Sequence, residues 1–170
     1  MVLNGLWIVT VQVFTLWGTT LAIFVLLAAL CVAFQRAVAT RMPRGGILDS
    51  LLIDGVTGLH LGWVAVASVA NVAAWLTAIG PTEWADYSRA WGIAVLAVVA
   101  VIGLAIAWAS GWRVAPGLAL GWGLVWIAVG RLVDQPRSEW IGTAAIIAAV
   151  VVVGGPLAIA GLRSLRPAGD

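Results

Sequence analysis

Residues 90–108 read AWGIAVLAVVAVIGLAIAW, with no charged side chain and no hydrogen-bonding group beyond the indoles of Trp91 and Trp108. About 20 apolar residues, at about 1.5 Å of helix each, cross a hydrocarbon core of about 30 Å, so this run has the length of a membrane span. Working outward gives four more: about Phe14 to Phe34 and Gly55 to Ile79 before it, Val114 to Gly130 and Trp140 to Leu162 after it, with its own limits at Ala90 and Trp108. Composition agrees. Of 170 residues, 63% are hydrophobic and 9% charged, against roughly 25% charged in an average soluble domain. So few charges cannot cover a water-facing surface. A soluble enzyme, a nucleic-acid binder and a disordered chain are excluded. The expected fold class is all-α, a polytopic transmembrane bundle of five full spans plus a partial N-terminal helix, with the lipid bilayer as its first partner.

The polar breaks carry the orientation. Arg36, Arg41 and Arg44 crowd the first, Arg113 sits in the third, and Arg163 and Arg166 follow the last span. The second break holds Glu83 and Asp86 against Arg89, and the fourth sets Asp134 and Glu139 against Arg131 and Arg137. Arginine is denser at alternate breaks, which by the positive-inside rule places the first break, the third and the C-terminus in the cytoplasm of a plasma (inner) membrane protein. Span one then starts outside. Val2 to Val13 precedes it, and twelve helical residues reach only about 18 Å, half a bilayer. A terminal ammonium stranded at that depth is costly, so the natural chain is expected to begin further upstream.

Chemistry-bearing side chains are few. One cysteine, Cys31, and one histidine, His60, allow neither an internal disulfide nor a zinc site. No glycine motif cradles a phosphate, and no pair of groups is placed for catalysis, so the chain is not expected to be an enzyme. Eleven tryptophans stand out. Trp17, Trp84, Trp91 and Trp140 suit the outer headgroup boundary, and Trp108 and Trp112 the inner one. Trp63, Trp122 and Trp126 fall inside spans, where an indole either packs in the core or lines a pocket for a flat apolar ligand.

Span two gathers the polar atoms. At about 100° per residue from His60, Trp63 falls at about −60°, Ala67 at about −20°, Asn71 at about 20° and Trp75 at about 60°. Such a stripe should turn from lipid toward a neighbouring helix or a cavity. It serves either interhelical hydrogen bonding or a ligand wall. His60 is a packing residue, a haem ligand or a proton relay on this evidence alone. Asp54, before it, suits a loop arginine or the free amides of a helix start. Gly117 and Gly121 form a G-x-x-x-G face suited to close packing, with a second copy as one candidate partner. Gly154, Gly155 and Pro156 are expected to kink the last span.

Two blocks resemble a known family. Leu3-Asn4-Gly5-Leu6-Trp7 is similar to the N-x-x-W of the third helix in the tryptophan-rich sensory protein family, also called translocator protein or peripheral benzodiazepine receptor. The family's fifth helix carries a Trp, small residues, an Asn eight positions on and often another Trp four later. Trp63, Ala67, Ser68, Asn71 and Trp75 match that pattern. The family's Pro-Tyr before that Trp is Leu59-His60 here. The resemblance covers about residues 1–76, without counterparts of the family's first two helices. It divides the chain into a translocator-like segment, 1–80, and a three-span extension, 81–170.

What the resemblance implies is binding of a porphyrin-like or other flat hydrophobic ligand, for sensing or transport. The implied ligand-binding residues are His60, Trp63, Ala67, Asn71, Trp75, Asn4 and Trp7. A tetrapyrrole would be a ligand, with no resident cofactor expected. The alternative is a structural or assembly membrane protein whose tryptophans and glycines serve packing alone.

Topology is open to direct test. With Cys31 replaced by serine, single cysteines at Arg44 and Asp86 should react with an impermeant maleimide from opposite sides, Arg44 from the cytoplasm. Labelling of both from one side would overturn the five-span arrangement.

Overall fold

The computed structural model describes residues 2–13, 15–40 and 51–165; Arg41, Arg44 and Arg166 lie outside them, as do the side chains of Asn4 and Asp54. Within them the chain is helical, with no strand. The helices are α1 (Val2–Val13), α2 (Leu16–Ala39), α3 (Leu59–Ile79), α4 (Ser88–Ala109), α5 (Ala115–Leu132) and α6 (Glu139–Ser164). A π-helical lead-in, Leu51–Gly58, runs into α3, and a 3-10 turn, Thr82–Tyr87, runs into α4.

Five helical stretches are long and apolar enough to cross a membrane: Leu16–Ala39, Gly55–Ile79, Thr82–Ala109, Ala115–Leu132 and Glu139–Arg163. They overlap the expected apolar runs, but the third begins at Thr82, about two turns before its expected start at Ala90, because the 3-10 turn leads straight into α4. The first outruns its expected end at Phe34 by a turn, because the helix continues through Gln35 and Arg36 to the Thr40 cap. The outside of the bundle is apolar as well: Val101 is 67% exposed and Val150 65%. Water would penalise that surface by about 25 cal/mol per Å², and a bilayer does not. The protein is an integral membrane protein.

Neighbours pack in the order α1, α2, α3, α5, α6, α4, with α4 closing back onto α3 and α5. One core cluster joins Ala65 and Val66 of α3, Leu96 and Val99 of α4, Leu120, Leu124 and Ala128 of α5, and Ala145, Ala148, Ala149 and Val152 of α6. It therefore draws on both sides of residue 80. A smaller cluster, Ile23, Leu26 and Val64, holds α2 to α3. The short α1 leans mainly on α2.

Alternate breaks lie at opposite ends. Gly58 at the start of α3 meets Phe34 of α2 and Ala115 and Pro116 of α5, and Arg163 of α6 donates to the Gly111 carbonyl in the α4–α5 turn at 2.9 Å. That end carries Arg36, Arg113 and Arg163. At the other, the Arg89 guanidinium lies 5.8 Å from the Trp140 ring centroid, a cation–π contact.

Glycine sets the spacing around α5. A Cβ on Gly62 would overlap the Pro116 carbonyl, and one on Gly117 would overlap the Val152 carbonyl. Helix α5 thus meets α3 on one side and α6 on the other, backbone against backbone. Of the five spans it is the least hydropathic and the most buried. Pro156, buried inside α6, has no N–H to give the carbonyl four residues earlier, which is that of Val152. Gly117 fills that place with its α-carbon, a Cα–H···O approach. The helix runs unbroken through Gly154, Gly155 and Pro156.

One expectation is corrected here. The Gly117 and Gly121 face does not await a second copy: both glycines are buried, and Val152 and Val153 of α6 in the same chain cover them. Close approach is its purpose, as its composition indicated, but the partner is intramolecular.

A contrast between two glycines checks this packing. Gly62→Ala should lower stability by about 1–3 kcal/mol through overpacking. Gly154→Ala, where an added Cβ meets nothing within 4 Å, should be neutral or gain about 0.5–1 kcal/mol from helix propensity. Thermal unfolding in one detergent measures both. Equal effects would show that the α3–α5 approach is not tight.

Candidate ligand-binding site

The polar and aromatic stripe of α3 divides between two neighbours. The buried positions Leu61, Gly62, Val64, Ala65, Val66 and Ser68 occupy an arc from about 40° to about 240° on the same 100°-per-residue wheel. Apart from Trp75 at about 60°, the stripe lies to one side of that arc. Eight residues separate Trp63 from Asn71, which at about 100° each leaves them about 80° apart on the helix. Asn71 and Ala67 therefore turn toward α2, half-buried, while Trp63 stays 51% exposed on the side of α5. The inward turn expected of the stripe holds for the first two and not for Trp63.

On the α2 side, Trp7 of α1 packs with Ala67 against Ile23, Leu26 and Val64. Asn71 Nδ2 donates to the Ala67 carbonyl at 3.0 Å, and its Oδ1 lies 3.4 Å from Thr19 Oγ1. The Thr19 hydroxyl has one proton and a closer acceptor, the Leu16 carbonyl at 2.9 Å. The backbone bond takes most of that proton, so the Asn71 carbonyl oxygen is only weakly satisfied. The indole N–H of Trp7 is buried with no acceptor among the described residues. Thr19 escaped the sequence analysis. Its one signal there was the Thr19-Thr20 doublet in an otherwise apolar run.

On the α5 side a groove of about 420 Å³ opens toward lipid, lined by Leu59, His60 and Trp63 of α3 and by Leu118, Ala119 and Trp122 of α5. Its position follows from the glycine crossing. Gly62 meets Pro116 and Val66 meets Gly123 along the seam, and the larger Trp63, Leu118 and Trp122 flank it, each about half exposed. Trp122 is 58% exposed and stands edge-on to Trp126, with ring centroids 5.7 Å apart. Among the described residues, His60, Trp63 and Trp122 make no hydrogen bond. Among the described residues, no Asp, Glu or Arg lines the groove.

Of the seven residues singled out, the structure places Trp7, Ala67 and Asn71 on the α1–α2–α3 side, and His60 and Trp63 in the groove. Trp75 is half-buried near the far end of α3, and the side chain of Asn4 is outside the described set. Trp122, noted only as an intramembrane indole, joins the groove together with Leu118 and Ala119.

Indole and imidazole rings beside an apolar groove have the chemistry to stack on a flat ring and to donate a hydrogen bond to it. Among the described residues, no three His, Cys, Asp or Glu side chains come together as a metal site.

A family model described as TSPO-like protein matches residues 1–158. The match runs well past residue 76 and takes in α4, α5 and most of α6. No curated protein matches the chain, and no solved structure does. The two sequence blocks, the helical membrane bundle and a match over most of the length agree: the chain belongs to the TSPO-like protein family.

Proposed function

We propose that this TSPO-like membrane protein binds a flat hydrophobic ligand, porphyrin-like molecules included, in the groove between α3 and α5, for sensing or transport. One observation carries the proposal: two exposed indoles, Trp63 and Trp122, border an apolar groove of about 420 Å³, a size in the range of about 300–1,000 Å³ common for ligand sites. Indole rings stack on flat ligands and contribute large apolar contact. An opening to lipid admits a molecule dissolved in the bilayer. On this proposal the protein acts by binding, with the tetrapyrrole as ligand. It sits in the inner membrane, with the end carrying Arg36, Arg113 and Arg163 in the cytoplasm, as the arginine bias supports.

A second interpretation, structural or assembly protein, is favoured by the bundle interior. Gly62 and Gly117 bring backbones into contact, leaving no space for a ligand along those two seams.

Quenching of tryptophan fluorescence by protoporphyrin IX, with the protein in lipid nanodiscs, separates the two. Trp63→Ala should weaken binding tenfold or more, since about 1.4 kcal/mol of lost contact is a factor of ten. Val101→Ala, on the lipid face of α4, should change nothing. Absence of saturable quenching, or equal affinity in the Trp63 variant, would favour the structural interpretation.

A further inference from the structure

We infer that, among flat hydrophobic ligands, the α3–α5 groove prefers an uncharged, planar, carbonyl-bearing ring on a long apolar tail, that is, a prenylquinone-type lipid. The inference rests on the proposal that this groove is a ligand site and specifies the chemistry of what it takes.

The polar atoms of the groove decide the matter. Its lining offers three nitrogen-bearing rings: the imidazole of His60 and the indoles of Trp63 and Trp122. An indole can only donate a hydrogen bond, and a neutral imidazole keeps one N–H to donate. None of these donors is used among the described residues. Unpaired donors facing hydrocarbon are costly, and an intramembrane histidine calls for a partner. The complementary ligand presents acceptors. Among the described residues no arginine lines the groove, so carbonyl oxygens suit those donors better than carboxylates or phosphates, whose charge would be desolvated without a counter-ion there.

Location narrows the choice further. His60 is the second residue of α3, and Leu118 and Ala119 lie in the first turns of α5. The groove therefore begins at the end of the bundle that carries Arg113 and Arg163 and runs inward along the lipid face. A ring near the headgroup level with a tail directed into the bilayer fits that course. Planarity follows from the indoles, which gain most from face or edge contact with another flat ring. A quinone head has two carbonyl acceptors on a flat uncharged ring. A phospholipid has a charged head and no ring.

The test uses the full chain in nanodiscs, with decylubiquinone as probe and protoporphyrin IX in parallel. Decylubiquinone should quench tryptophan fluorescence saturably, and the carbonyl stretch of the ¹³C-labelled quinone should shift to lower frequency on binding. His60→Leu should weaken the saturable component at least tenfold and abolish the carbonyl shift. His60→Gln, which keeps an N–H donor, should stay within about threefold and retain the shift. Trp122→Leu should weaken binding without removing the shift. His60 is half-buried at the rim of a lipid-facing groove and belongs to neither core cluster, so leucine there should leave the core intact, and circular dichroism checks that it does. Quenching that rises linearly with quinone, as from random collisions in the lipid, would overturn the inference. So would a carbonyl shift unchanged in His60→Leu. If protoporphyrin binds saturably and the quinone does not, the inference falls and the proposed function stands. If neither binds, both fall.

Discussion

The arrangement depends on α5 touching both of its neighbours through backbone. Apolar side chains gain nothing by leaving lipid for one another, so helices in a bilayer hold together by close packing and by hydrogen bonds that lipid cannot supply. At Gly62 and Gly117 the missing side chains let carbonyl groups of the adjoining helix approach an α-carbon. The second contact has an additional feature: the Val152 carbonyl left free by Pro156 is the one that Gly117 covers. A proline that would weaken an isolated helix is here paired with the residue that meets its orphaned acceptor. Around this axis the core cluster draws one side chain layer from each of α3, α4, α5 and α6.

The groove is a by-product of the same contact. The two helices stay close from Gly62 at Pro116 to Val66 at Gly123, and the exposed side chains flanking that seam border a groove that faces lipid. On the other side of α3, Asn71 and Trp7 are half-buried and, among the described residues, incompletely hydrogen-bonded. The two sides differ in kind. Among the described residues, one offers an apolar groove and unused donors, and the other a weakly satisfied carbonyl oxygen and a buried indole N–H.

Much of this was legible from the chain alone. Runs such as 90–108 fix a span by length and polarity, and the arginines of alternate breaks sort the ends, because both signals are local. The angular spacing of His60, Trp63 and Asn71 was legible too, but only as angles relative to one another. Which angle faces α2 and which faces α5 depends on where those helices stand, and that is set by Gly62 and Pro116, two residues more than fifty apart in sequence. The glycine pair at 117 and 121 announced close approach without naming its partner. Thr19 gave almost no signal, since its importance lies in the distance to Asn71.

The low hydropathy of α5, set beside its central position, bears on how the protein is made. A chain is delivered to the membrane from its N-terminal end, so α5 must enter the bilayer before α6 exists to cover Gly117 and Gly121. It is the shortest of the five spans, at 18 residues, and has the least apolar surface with which to partition by itself. Its entry then relies on α3 and α4, already inserted, to receive it through the Gly62 crossing. The helix that organises the finished bundle is the one least able to enter the membrane alone, which makes insertion of this protein cooperative.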